Sequence, residues 1–170
     1  NRRYDRVVGP KGDAVLMDAP AERGEDISVF LDFTELLRGM GLSAPEIIHQ
    51  DRLAGFALLE DLGDDLFARV ASAAPEKEAL IYGAAVDLLA TMHSTPPPVR
   101  ANERQVPFYD EAVLAREAAL AVDWWVPATT GAALDDAVLH EYSALIADAC
   151  ARVSTQRDAL VLRDYHAENL

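Results

Sequence analysis

Leu160-Val161-Leu162-Arg163-Asp164-Tyr165-His166-Ala167-Glu168-Asn169-Leu170 is the stretch on which the reading of the whole chain turns. A short apolar run, predicted to be a strand, delivers Asp164 into a polar loop, and Asn169 follows five positions later. Phosphoryl transfer to a hydroxyl needs such a pair. A carboxylate accepts or orients the proton of the attacking hydroxyl, and an amide oxygen holds Mg²⁺ on the nucleotide phosphates. Asp and Asn at this spacing recur by chance. The specificity lies in the combination of apolar run, Arg-Asp, His two positions later and Asn five positions later.

Upstream of this loop the chain reads as helical back to about Asp64. Ile81, Ala85, Leu88, Leu89 and Met92 form one apolar stripe at helical spacing. Pro96-Pro97-Pro98 ends that helix and begins a loop. A second helix is predicted from about Asp110, with Leu114, Ala118, Ala121, Val122 and Trp125 on one face. A third carries Val138, Tyr142, Leu145, Ile146, Ala149 and Val153.

The first sixty or so residues read differently. Arg6-Val7-Val8 and Ala14-Val15-Leu16-Met17 flank the turn signal Gly9-Pro10-Lys11-Gly12, which predicts a hairpin. Ile27, Phe30, Leu31, Thr34 and Leu37 follow at helical spacing, stopped by Gly39 and Gly41. Ile47-Ile48 and Phe56-Ala57-Leu58-Leu59 are strand-like, the second ending in Glu60-Asp61-Leu62-Gly63. Strands first and helices afterwards predict an α+β fold of two lobes, a β-rich lobe over 1–63 and a helical lobe over 64–170.

With 170 residues, 51% hydrophobic and 26% charged, the chain is long enough to bury a real core. A formal net charge of −14 argues against a nucleic-acid partner and against an anionic membrane surface. The lone Cys150 excludes a disulfide framework and suits a reducing cytoplasm. No apolar stretch approaches the length of a membrane span. The charged opening without Met and the stop at Leu170 lead to the expectation that the chain is a piece of a longer polypeptide. His49, His93, His140 and His166 share no metal-ligand spacing with one another or with Cys150. No G-x-S-x-G elbow supports acyl-transfer chemistry.

In order along the chain, Arg2-Arg3-Tyr4 with Arg6, Leu16-Met17-Asp18-Ala19-Pro20, Leu58 to Gly63, Tyr109-Asp110 with Trp124-Trp125, and the loop from Arg163 to Asn169 resemble the aminoglycoside phosphotransferase-like small-molecule kinases. Within that family the wording is most similar to bacterial anomeric kinases of N-acetylmuramate and N-acetylglucosamine. The resemblance spans essentially the whole chain. It implies a protein-kinase-like two-lobed fold, an ATP- and Mg²⁺-dependent enzyme, and a nucleotide and a small-molecule acceptor as partners.

Carried over residue by residue, the resemblance makes Asp164 the catalytic carboxylate and Asn169 a Mg²⁺ ligand. His166 supports the loop or touches the substrate. Glu60 and Leu62 offer a carbonyl and an amide to the adenine edge, while Arg2 and Arg3 reach the phosphates. Tyr109, Glu117 and Trp124 are the right types for a sugar: a flat ring for its C–H face and a carboxylate for its hydroxyls. A plain strand-to-helix connection at Glu60 to Gly63, solvated arginines at Arg2 and Arg3, and tryptophans in core packing with a solvated Glu117 are the alternatives.

Three departures from the family pattern stand out. Leu162 occupies the place of the loop's first His, Met17 that of the strand lysine, and Leu31 that of the helix glutamate which holds the lysine. Of a glycine-rich phosphate loop, Asn1-Arg2-Arg3-Tyr4 resembles only the downstream end. The expected function is a phosphotransferase for the anomeric hydroxyl of a cell-wall amino sugar. The alternatives are an aminoglycoside, choline-like or other alcohol acceptor, or a catalytically inactive nucleotide- or metabolite-binding protein.

Overall fold

The computed structural model describes residues 2–10, 12–24, 26–155 and 157–170. Lys11 of the predicted turn and Asn1 of the opening stretch lie outside them. Strands β1 (Arg3–Gly9) and β2 (Gly12–Asp18) form the expected hairpin, antiparallel with Gly9 opposite Gly12. β3 (Ile47–Asp51) and β4 (Phe56–Glu60) complete a four-stranded antiparallel sheet in the order β1-β2-β4-β3, with a bulge between Ile47 and His49.

Helix α1 (Ile27–Gly39) starts at Asp26, whose carboxylate accepts from the Ser28 amide at 2.9 Å and so satisfies one orphan donor of the first turn. Of its predicted apolar stripe Ile27, Leu31 and Thr34 are buried, while Phe30 and Leu37 are half-buried. Met17, Ala19, Ile27, Leu31, Ala57 and Leu59 make one core cluster, in which Met17 and Leu31 have no exposed surface at all. Full burial of side chains this size contributes about 1.5–3 kcal/mol each. Gly55 is required here. Its φ is 77°, and a Cβ would lie 2.5 Å from the Ala19 carbonyl oxygen, where the chain after β2 closes against the β3–β4 turn.

Helices follow: α2 (Phe67–Ala73), α3 (Glu78–His93), α4 (Glu111–Leu120), α5 (Val126–Thr130) and α6 (Asp136–Val153). On α3 the predicted stripe supplies the buried residues Ala85 and Met92. Asp110 and Asp135 cap α4 and α6 by accepting from Val113 and Val138. Among the described residues no helix is long and apolar enough to cross a membrane.

The chain divides into two compact units. One comprises Asn1–Tyr82, Pro98–Val106 and His166–Leu170; the other comprises Gly83–Pro97 and Pro107–Tyr165. Within the first, a hairpin of β5 (Arg100–Ala101) and β6 (Arg104–Gln105) lies inside what the sequence read as a loop. It is tied to α1. The buried Asp32 accepts from Asn102 and Arg104 of the hairpin and from Arg52, while Asp26 accepts from Arg104 at 3.0 Å.

Three expectations are corrected. Leu160 to Leu162 forms no strand: the segment pairs with no ladder among the described residues, although Leu160 is buried as an apolar run requires. The second predicted helix does not run on evenly. After α4 a π-helical turn, Ala121–Trp125, inserts extra residues into the turn, so Val122 is buried while Trp125 is 66% exposed. On α6, Val138, Leu145 and Val153 are exposed, and the buried residue is Cys150.

Candidate active site

In the first unit a cavity of about 460 Å³ opens beside the end of β4, within the size range of small-molecule sites. Val15, Phe30, Pro45 and Leu59 give it an apolar lining, and Glu60 to Gly63 line it as well. Glu60 is anchored to the residue before β3. Its amide donates to the Glu46 carbonyl at 2.8 Å, and its carboxylate accepts from the Glu46 amide at 2.9 Å. Leu62 is different. It is 57% exposed, and its main-chain N–H and C=O make no hydrogen bond among the described residues. A linker amide open to a ligand is what base recognition requires.

Arg6 of β1 fixes this linker. Its guanidinium donates to both oxygens of Asp61 and, at 2.9 Å, to Asp64, while the Gly63 amide donates to Asp61 at 2.9 Å. These bonds raise the Arg6 pKa and hold both carboxyls below the ordinary carboxylate range. Sequence reasoning missed this triad, because a pairing across fifty-five residues leaves no periodic signal. Arg2 places its guanidinium 5.8 Å from the Phe30 ring centroid. Arg3 pairs with Asp5 at 2.9 Å and with Asp18 at 3.7 Å.

The end of the chain, His166 to Leu170, belongs to the same unit and is positioned by α2. That helix begins without a side-chain cap. Its Phe67 and Ala68 amides donate instead to the carbonyls of Leu170 and Ala167, each at 2.9 Å. Within the segment the Asn169 amide donates to the His166 carbonyl at 2.8 Å, and the Asn169 side-chain amide lies 3.2 Å from His166 Nε2. His166 thereby orients Asn169. An amide oxygen is the hard donor that Mg²⁺ takes alongside phosphate oxygens and water, so the residue fits that ion. Among the described residues no three His, Cys, Asp or Glu side chains gather into a metal cage.

The second unit holds Asp164, exposed, with its amide donating to the Leu162 carbonyl at 2.7 Å. Tyr165 anchors the neighbouring backbone by donating to the Ala85 carbonyl at 2.9 Å. Glu117 of α4 is a bridge: one oxygen accepts from the Tyr109 hydroxyl and the other from Arg163. The Tyr109 bond, followed by Arg163, draws the Glu117 pKa down, and Glu117 raises that of Tyr109. Trp124, in the π-helical turn, is 73% exposed. Tyr109 and Glu117 are therefore brought together by the fold, and Trp124 is left presenting its ring at the surface of its own unit.

A four-stranded antiparallel lobe with an open linker beside a cavity, followed by helices and an Asp-bearing loop, defines an α+β, protein-kinase-like class. The chain belongs to the phosphotransferase enzyme family, which it matches over residues 1–170. It is 37% identical over 148 residues to an N-acetylmuramate/N-acetylglucosamine kinase of Caulobacter vibrioides, covering 85% of this chain and 40% of that protein. It is 33% identical over 177 residues to the N-acetylmuramate/N-acetylglucosamine kinase of Pseudomonas aeruginosa, covering 99% and 48%. The counterpart in Pseudomonas putida is 31% identical over 172 residues. The chain spans about half the length of the curated relatives it matches.

Proposed function

We propose that the whole protein is a cytoplasmic small-molecule kinase that transfers the terminal phosphoryl group of ATP to the anomeric hydroxyl of N-acetylmuramate or N-acetylglucosamine. The product would be a sugar 1-phosphate. The observation that carries this reading is the 460 Å³ cavity lined by Leu62 and its linker, in a chain of the phosphotransferase family. The names of the relatives support the acceptor.

In this proposal residues 1–63 cover the nucleotide and residues 64–170 supply chemistry and acceptor recognition. The Glu60 carbonyl and Leu62 amide meet the adenine edge, while Arg2 and Arg3 meet phosphate. Asp164 accepts the proton of the attacking hydroxyl, and His166 holds the Asn169 amide in place. Asn169 would hold Mg²⁺, which neutralises phosphate charge when bound. Trp124 offers its face to the sugar ring, with Tyr109 and Glu117 on the same side of the chemistry.

Met17 and Leu31 favour a second reading. Both are fully buried where the family's phosphate-binding lysine and its glutamate would stand, which suits a protein that binds nucleotide or metabolite without turning it over. Incubating the full-length protein with labelled ATP and N-acetylmuramate, N-acetylglucosamine, an aminoglycoside or choline separates these. Labelled sugar 1-phosphate is the expected outcome. Transfer to another alcohol alone would overturn the acceptor, and nucleotide binding without transfer to any of them would favour the second reading.

A further inference from the structure

Arg163, the residue immediately before Asp164, has a φ of 57°, in the left-handed region. A long branched side chain gains nothing there, and glycine would hold the same backbone without steric penalty. Such a conformation persists when its surroundings over-determine it. The surroundings here are specific. Glu117 accepts from the Arg163 guanidinium through one oxygen and from the Tyr109 hydroxyl through the other, so a helix and the segment leading into it converge on a single strained residue. Tyr165, on the other side of Asp164, is tied to the Ala85 carbonyl.

We propose that Glu117 is a positioning residue: by holding Arg163 in the left-handed conformation it sets the direction in which the backbone presents Asp164. Direct contact with the acceptor is then not its first role. The rate consequence rests on the phosphotransfer reading, since a carboxylate misplaced by about 1 Å can lose roughly 100-fold in rate. The ordering of the loop does not.

The test uses Glu117→Ala, Glu117→Gln and Arg163→Gly, alone and combined, in the full-length protein. Hydrogen–deuterium exchange is followed across 160–166, together with kcat and KM for acceptor and ATP. Glu117→Gln keeps an acceptor for Tyr109 while losing the charge that holds Arg163, and thermal melts identify any variant that fails to fold. Faster exchange across 160–166 in both Glu117 variants is expected, with kcat lowered roughly 10- to 100-fold and acceptor KM little changed. In the Arg163→Gly background, Glu117→Ala should add no further loss, because glycine needs no holding. Unchanged exchange in the folded Glu117 variants overturns the proposal. So does an acceptor KM that rises at constant kcat equally in the Arg163 and Arg163→Gly backgrounds, which marks a substrate contact. If the parent transfers no phosphoryl group, the function assignment fails and the exchange measurement alone decides the positioning role.

Discussion

Asp32 of α1 and Asn102 of the β5–β6 turn, seventy residues apart in sequence, meet at 3.1 Å through a carboxylate oxygen and the side-chain amide nitrogen. Asn102 reaches that position with a φ of 51°, which asparagine tolerates better than most residues. Arg52 at 2.9 Å and Arg104 at 3.3 Å complete the donors around Asp32. The helix whose Ile27 and Leu31 pack against Met17, Ala57 and Leu59 of the sheet is thus secured by a hairpin from beyond α3.

Replacing Asp32 by alanine removes the acceptor for all three donors. Their flexible side chains retain some access to water, so the cost is expected below that of a wholly buried pair, at about 2–4 kcal/mol. Urea denaturation of the folded chain checks this. A loss under about 0.5 kcal/mol, the range of ordinary surface changes, would mean that the hairpin does not secure α1.

The same carboxylates set an acid limit. Burial pushes Asp32 up, but hydrogen bonds from Asn102 and Arg52 outweigh it and leave its pKa lowered; the Ser28 amide lowers that of Asp26, and Arg6 those of Asp61 and Asp64. Groups with depressed folded-state pKa values bind fewer protons folded than unfolded. Their contribution is fully present above the ordinary carboxyl value of about 3.9 and is lost as pH falls below it through the folded values. Melting temperature should therefore fall steeply below about pH 4, and Asp32→Asn should flatten that fall. An identical pH profile in the variant would show that Asp32 is not among the linked groups.

Met17→Lys places an ammonium in a site with no exposed surface, and Leu31, also fully buried, cannot pair with it. An unpaired buried ammonium is expected to cost roughly 3–5 kcal/mol. The double variant Met17→Lys/Leu31→Glu should lose less than the sum of its singles, since the two positions share one core cluster. Strict additivity in urea denaturation would mean that the two side chains do not meet.

What the sequence made legible was local. The Gly9 to Gly12 turn signal and the helices α1 and α3 follow from period and punctuation, and the fold has each of them, with Ile27, Leu31 and Thr34 and then Ala85 and Met92 buried from the two predicted stripes. The β5–β6 hairpin has strands of two residues, too short for any periodicity to register. The π-helical turn at Ala121–Trp125 defeats an argument built on 3.6 residues per turn, which is why Trp125 lies off the apolar face that spacing predicts for it. Of the site, the residue types of Asp164, His166 and Asn169 were readable as a motif. The Arg6–Asp61–Asp64 triad and the Tyr109–Glu117–Arg163 bridge are pairings between distant elements, and no local pattern encodes them.

Asp164→Asn in the full-length protein should leave the melting temperature nearly unchanged, because Asp164 is exposed. Turnover should fall roughly 10²- to 10⁴-fold, as for loss of a positioned general base. A loss below tenfold with intact folding would remove Asp164 from the chemistry.

Trp124 gives the clearest separation between packing and recognition. A core tryptophan cut to alanine costs about 3–5 kcal/mol and depresses every activity through unfolding. At 73% exposure Trp124 has little burial to lose, so Trp124→Ala should change stability by no more than about 0.5 kcal/mol. If its ring stacks on the sugar, the KM for N-acetylmuramate or N-acetylglucosamine should rise by up to about tenfold, the equivalent of 1.4 kcal/mol, with the KM for ATP nearly constant. Glu117→Gln distinguishes itself in the same assay by lowering kcat. Unchanged stability together with unchanged KM values for both sugars would leave the ring with no part in acceptor binding, and a large loss of melting temperature would return it to packing.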